Sequence, residues 1–318
     1  MTRKLLGLYL EVKILLTGAS GFVGSAILAK LCADKIRVLG RSEPPCGTTD
    51  FYYSEIKSDT DYSEALKGVD VVIHVAARAH IMKDGSSDPF SEYYETNTLG
   101  SLNLARQSSA GVRRFIFISS IKVNGEFTSI GHPFFYNDKV CPDDPYGQSK
   151  AEAEIGLAKL AEETGMEVVI IRPPLVFGPG VKANFASMMS LAIKNLPLPL
   201  GAIKNKRSLV AIDNLVDLII TCIDHPNAAN QTFLVSDDHD VTTTELLEEL
   251  TRAAGKKPRL IPVPMKVIQI VANVLGKKSI ADRLCGSLQV DISHTKETLG
   301  WKPPVSFKQG IARCFEKV

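Results

Sequence analysis

The chain has no paired cysteines, no long apolar run and no excess of one charge. Its six cysteines, Cys32, Cys46, Cys141, Cys222, Cys285 and Cys314, are scattered, and none forms a Cys-x-x-Cys pair. That spacing argues against a zinc site and a disulfide framework, and points to reduced thiols in a cytoplasmic protein that holds no metal. No stretch reaches the roughly 18 uninterrupted apolar residues that a membrane span needs. The N-terminus is basic and then apolar, like an export signal. Glu11 and Lys13 interrupt that run, and no small-residue cleavage site precedes the glycine-rich segment that follows. Residues 1–11 are therefore expected to be a short leader before the first strand. Basic residues number 37 and acidic residues 35, a balance that leaves no electrostatic footprint for nucleic acid. Internal repeats and low-complexity segments are also missing. The 318 residues, 45% hydrophobic and 23% charged, suffice for one large domain or two smaller ones sharing a core.

Strand-like and helix-like segments alternate through the first half. Apolar or β-branched runs at 12–16, 36–39, 71–75, 114–118 and 167–171 read as strands. Residues 22–32, 90–109 and 147–164 have helical spacing. This alternation predicts an α/β fold: a Rossmann-type, doubly wound parallel sheet covered on both faces. Beyond residue 173 prolines cluster and short helices follow at 243–254 and 265–275. A smaller C-terminal substrate domain is expected there. The division is 1–176, with about 208–236, for the dinucleotide-binding domain, and 177–207 with 237–318 for the substrate domain.

Thr17-Gly18-Ala19-Ser20-Gly21-Phe22-Val23-Gly24 follows the first strand and opens the first helix. Gly18 permits a tight turn, Gly21 lets the backbone approach a pyrophosphate, and Gly24 lets helix and strand pack closely. The helix N-terminus offers free N–H groups to phosphate. Gly18, Ser20, Gly21, Phe22, Val23 and Gly24 are therefore expected to bind a dinucleotide. After the second strand comes Leu39-Gly40-Arg41-Ser42. Arg41 pairs with a 2′-phosphate more readily than with free ribose hydroxyls, which favours NADP(H) over NAD(H), the alternative.

Tyr146 and Lys150 lie one helical turn apart in Pro145-Tyr146-Gly147-Gln148-Ser149-Lys150. A cation beside a phenol stabilises phenolate, which suits a tyrosine that takes and returns a hydroxyl proton. The strand 115–118 ends in Ser119-Ser120 at the edge where such sheets bind ligands. Ser120 is assigned to the reacting oxygen; Ser119 is the alternative, or both cap the loop.

These motifs, with Ile171-Arg172-Pro173-Pro174 and Phe177-Gly178-Pro179-Gly180, resemble the NAD-dependent epimerase/dehydratase family of extended short-chain dehydrogenases/reductases over nearly the whole chain. The resemblance implies Ser120, Tyr146 and Lys150 as catalytic residues. It implies Glu55, Ile56, Ala76, Ala77, Asn97, Lys150 and Pro173 along the cofactor. It also implies a homodimer through the helices near 90–109 and 145–164. Family dehydratases carry an Asp-Glu pair after the catalytic residue, where this chain has Ile121 and Lys122. Family decarboxylases usually place a glutamate at Lys122, and the GDP-fucose-forming enzymes a cysteine. What remains is chemistry at carbon 4 of a UDP-linked sugar, with Lys122, Asn124, Asn184, Arg207 and Arg283 as substrate contacts. Arg41 favours reduction of a UDP-4-keto-6-deoxy sugar in surface polysaccharide precursor synthesis. The alternative is a UDP-glucose/UDP-N-acetylglucosamine 4-epimerase with tightly bound NAD; a reading of another class is a non-catalytic NADP-binding sensor.

Residues 265–275 are apolar except at Lys266, Gln269 and Asn273. The favoured expectation is a helix mostly buried in the small domain. The rival is an exposed cover touching a partner or a membrane surface.

Overall fold

A computed structural model describes residues 12–31, 35–44, 50–78 and 89–316. The expected leader at 1–11, and Cys32 and Cys46, lie outside these residues. Ten strands are present among them: β1 Ile14–Thr17, β2 Ile36–Gly40, β3 Phe51–Tyr53, β4 Val71–His74, β5 Arg114–Ile118, β6 Glu167–Arg172, β7 Leu175–Phe177, β8 Arg207–Ala211, β9 Gln231–Leu234 and β10 Asp240–Val241. Seven of them form one sheet in the order β3-β2-β1-β4-β5-β6-β9. Every pairing in it is parallel. The order reverses between β1 and β4, so a crevice opens there beyond the strands' carboxyl ends.

The central strands β1, β4 and β5 are buried throughout because both faces are covered. Ile14 and Leu16 point into one core with Ile116, Val169 and Leu215, while Leu15 points into the other with Phe115, Leu104 and Leu157. Alternate residues of a strand face opposite ways, so one apolar run feeds both cores. The first face carries helix α1, Phe22–Lys30, and α6, Ile212–Asp224. The second carries a continuous helix, α3, made of Pro89–Tyr93, a π-helical stretch Tyr94–Gly100, and Ser101–Ser108. Beside it lies α4, Pro145–Thr164; α2, Ser63–Leu66, is a single turn. After β6 the chain leaves this sheet. It builds β7, then α5, Ala183–Lys194, and β8, which pairs β7 in parallel and β10 in antiparallel. Phe177, Phe185, Leu246 and Phe307 fill a separate core there. The remaining helices are α7 Thr243–Ala253, α8 Met265–Val274, α9 Lys278–Cys285, α10 Ser293–Leu299 and α11 Phe307–Arg313.

The structure corrects one expectation. α8 has no buried residue, so it is not an interior helix of the small lobe. Only Met265 and Ile268 lean on a core, the small cluster of Leu200, Ile203, Leu247 and Cys285. No helix among the described residues is long and apolar enough to cross a membrane.

A buried polar chain ties β1 to β4 at the crevice. Thr17 Oγ1 and His74 Nδ1 are 2.8 Å apart, and His74 Nε2 lies 2.8 Å from Ser101 Oγ on α3. Burial, and secondarily the Lys150 ammonium, push the imidazole down to about 3. The unfolded chain takes up this proton near pH 6.5 and the folded chain does not, so stability is full above that value and is lost as pH falls towards 3. Over that window His74 costs about 1.4 kcal/mol per pH unit. Urea midpoints measured from pH 7 to pH 4 should therefore fall, and His74→Gln should flatten the dependence. An unchanged slope in that variant refutes the assignment.

Candidate active site

The turn between β1 and α1 is shaped by what its glycines allow. Gly18 has φ +74, and a Cβ there would sit 2.7 Å from the Ala76 nitrogen. A Cβ on Gly24 would lie 2.1 Å from the Gly18 oxygen, so only glycine lets α1 approach the turn this closely. Gly21 is the N-cap of α1, and no side chain caps the helix. Its first N–H groups, on Phe22, Val23 and Gly24, have no side-chain cap and follow exposed Ser20 and Gly21. This uncapped end and glycine-floored turn fit a dinucleotide pyrophosphate.

The wall of that crevice is set by the α3 π-turn. Asn97 is fully buried; its Oδ1 accepts from the Arg78 N–H at 2.8 Å, and its Nδ2 donates to the Arg78 carbonyl at 3.1 Å and to Ser149 Oγ at 3.1 Å. Ala76 N–H donates to Thr17 Oγ1 at 3.1 Å. Asn97 thus holds the strand-end loop carrying Ala76 and Ala77 against α4. Arg41 is exposed after β2. Glu55 pairs with Lys57 at 2.5 Å, and Lys57, with Arg41 farther off, holds its carboxyl below the usual range. Ile56 packs against Gly100, where a Cβ would be 2.8 Å from its carbonyl carbon. Buried Pro173 accepts from the Ile121 N–H at 3.0 Å and so fixes the turn after Ser120.

α4 begins at a strong start signal: Asp144 caps it by accepting from the Gly147 N–H at 2.6 Å, and Pro145 occupies the first turn. This places Tyr146 and Lys150 on the inward face, one turn apart. Lys150 is fully buried, and its Nζ donates to the Ile118 carbonyl at 2.9 Å, 4.3 Å from the Phe117 ring centre. Burial pushes the Lys150 ammonium down to about 7, against the pull of the Glu154 carboxylate. The Tyr146 phenol is pushed up to about 12 by burial and then by the Asp144 carboxylate. Its ring meets Tyr93 edge-on at 6.1 Å. Ser120 is extended and half-buried at the end of β5, where its Oγ accepts from the Lys122 N–H at 3.3 Å and keeps its own proton to donate. Ser119 is buried, and its Oγ has no partner within the protein. Ser120 at the end of β5 thus adjoins the strand end to which Lys150 ties α4, the helix that also carries Tyr146.

The expected substrate contacts divide. Lys122 is committed to Asp144 and to Glu126 at 2.9 Å. Burial works against its charge, but these carboxylates hold the ammonium above the ordinary lysine value. Asn124 is buried, with Oδ1 accepting from Arg172 Nη1 at 3.0 Å and Nδ2 donating to the Phe135 carbonyl at 3.3 Å. Both side chains are spent on packing. Arg207, at the start of β8, donates from Nη1 to the Arg283 carbonyl at 3.0 Å and the Gly286 carbonyl at 3.2 Å, and burial pulls its guanidinium below the usual value. Arg283 is itself exposed on α9, and Asn184 is exposed in the first turn of α5. Sequence reasoning missed Asp144, although an acidic residue before a proline that opens a helix is a recognisable capping signal. It also missed the buried Arg172–Glu154 pair at 2.6 Å, whose partners come from separate elements.

The sequence profile of the NAD dependent epimerase/dehydratase family matches residues 14–236. The chain belongs to that family. It is 53% identical over 304 residues to a UDP-glucose 4-epimerase of Vibrio cholerae, covering 94% of this chain and 93% of that one. A 28% identity over 322 residues links it to the N-acetyl-alpha-D-glucosaminyl-diphospho-ditrans,octacis-undecaprenol 4-epimerase of Escherichia coli O157:H7, covering 95% and 94%. The fold superimposes on a UDP-glucuronic acid 4-epimerase of Bacillus cereus in complex with NAD with a TM-score of 0.74 at 22% identity, covering 95% of each chain. The protein is an enzyme of this family, built on the extended short-chain dehydrogenase/reductase fold.

If Tyr146 and Lys150 work as one proton-transfer unit, Tyr146→Phe and Lys150→Met should each lower turnover by roughly 10²–10⁴-fold. The double variant should then be scarcely slower than either single one. Steady-state assays of the three variants test this; additive losses would separate the two roles.

Proposed function

We propose that the protein is a 4-epimerase of UDP-linked hexoses, interconverting the gluco and galacto forms with NAD(H) retained between turnovers. The 53% identity to a UDP-glucose 4-epimerase across nearly the full length carries this reading. The site chemistry agrees, because Ile121 and Lys122 stand where elimination would need carboxylates, and Lys122 is tied up by Asp144 and Glu126. With a nicotinamide to carry the hydride, inversion at carbon 4 needs from the protein only a proton shuttle and a hydrogen-bond donor on the reacting oxygen.

The turn at Gly18, Gly21 and Gly24, with the uncapped N–H groups of α1, would hold the pyrophosphate, and Ala76, Ala77 and Pro173 would line the nicotinamide half. Bound there, a nicotinamide ring supplies a reversible hydride acceptor and, when oxidised, a positive charge beside the phenol. Tyr146 Oη takes the proton of the sugar 4-hydroxyl and returns it after the ring of the sugar has turned. The Lys150 ammonium favours phenolate, and its tether to the Ile118 carbonyl fixes where that charge sits. The Ser120 hydroxyl donates to the same sugar oxygen. Asn184 and Arg207 are the candidate diphosphate contacts; Arg207 must exchange the Arg283 and Gly286 carbonyls for phosphate oxygens. We assign the enzyme to the cytoplasm as a homodimer joined through α3 and α4, where Ile155 is exposed and Leu102 lies against Gly156.

One observation favours a second reading, net reduction with NADP(H): Arg41 is exposed just after β2, and a guanidinium there suits a 2′-phosphate. Incubating the purified enzyme with UDP-glucose and UDP-N-acetylglucosamine, and separately with a UDP-4-keto-6-deoxy sugar plus NADPH, separates the two. Epimerisation yields the galacto product with no net change in nicotinamide absorbance. Stoichiometric loss of NADPH with no epimer formed would establish the reductase instead.

A further inference from the structure

α8 divides into three arcs. At 100° per residue, Met265, Ile268 and Ala272 fall on one side, and Met265 and Ile268 are the residues that pack on the small cluster beneath. Lys266, Gln269 and Asn273 form a narrow polar stripe. Val267, Ile270, Val271 and Val274, continued by Leu275, form the third arc, which faces away from the protein. There Ile270 is 63% exposed, Val274 82% and Leu275 64%. Ile261 and Ile280 are exposed just before and after the helix. A contiguous apolar surface of this kind, on a helix with no buried residue, is a contact surface waiting for an apolar phase.

The charges around it say which phase. From residue 250 to residue 281 there is no aspartate or glutamate, while the rest of the chain is net acidic. Six of the basic residues in this stretch, Lys256, Lys257, Arg259, Lys266, Lys277 and Lys278, meet no carboxylate among the described residues, whereas Arg252 is paired to Glu248 and Glu249. A symmetric contact between two copies would bring like charges together. An anionic bilayer surface would instead attract the basic residues while the headgroup boundary receives the aliphatic arc.

We propose that α8 and its basic flanks form an interfacial docking face for an anionic lipid bilayer. The helix lies in the plane of the headgroups with Val267, Ile270, Val271 and Val274 inserted and the lysines at phosphate level. This goes beyond the epimerase reading and does not depend on it.

Flotation of the full-length protein with phosphatidylcholine vesicles, and with vesicles containing phosphatidylglycerol, provides the test. The bound fraction should rise by about tenfold on the anionic vesicles and fall as salt is added. Ile270→Ser/Val274→Ser should abolish binding, and Lys277→Gln/Lys278→Gln should weaken it severalfold. Both variants should leave the melting temperature and turnover of a dissolved nucleotide sugar unchanged. Absence of binding to anionic vesicles overturns the proposal, as does equal binding to both lipids or binding that the variants leave intact. If light scattering shows that Ile270→Ser/Val274→Ser breaks an oligomer, the face belongs to a second copy and the bilayer assignment falls.

Discussion

Lys150 carries its side chain into the interior between β5 and α4, where the Ile118 carbonyl and the Phe117 ring receive it. Burying a cation costs free energy, and the cost appears directly as an ammonium whose proton is held only up to about pH 7. Such a group persists only if the surrounding structure overrides it. Several contacts do so. Asp144 caps the helix six residues before it. Ser149 binds Asn97 through its hydroxyl, and its carbonyl accepts from Thr98. Glu154, one turn later, grips Arg172 on β6. The phenol of Tyr146 is pushed the opposite way by the same burial. Burial thus works against the charged form of both groups, the ammonium and the phenolate alike.

The same constraint explains why the crevice is where it is. β1 and β4 stay paired to their last residues at the reversal of strand order, and the Thr17–His74–Ser101 chain braces that end with buried hydrogen bonds. Asn97 then pins the loop after β4, and Pro173 pins the turn after β5. A rigid wall at the strands' carboxyl ends is what a short-range proton transfer needs, since small errors in placement are costly in rate.

How much was legible in the chain depends on how far each partner lies along it. The glycine turn, the Tyr146/Lys150 spacing and the serines closing β5 could be read directly, because local backbone geometry governs all three. The parallel sheet followed from apolar runs alternating with helical ones. Lys122 and Asn124 were expected to face substrate, yet their partners, Asp144 and Arg172, arrive from residues 22 and 48 positions away. Arg207 is captured by backbone carbonyls 76 and 79 residues further on. α8 was expected inside the small lobe because its composition is apolar apart from one narrow stripe, and composition does not say whether a second layer is available to cover it.

Short-range pattern therefore settled the kind of fold, the place of the glycine turn between β1 and α1 and the one-turn spacing of Tyr146 and Lys150 on α4, since each rests on residues within a turn or two of one another. Long-range packing settled which polar side chains are spent on holding the walls, how far the buried amine and phenol depart from their ordinary acidities, and that one apolar helix was left facing outward. Those properties are set by what surrounds a group in space, and neighbours in space are chosen only when the whole chain has closed around its two cores.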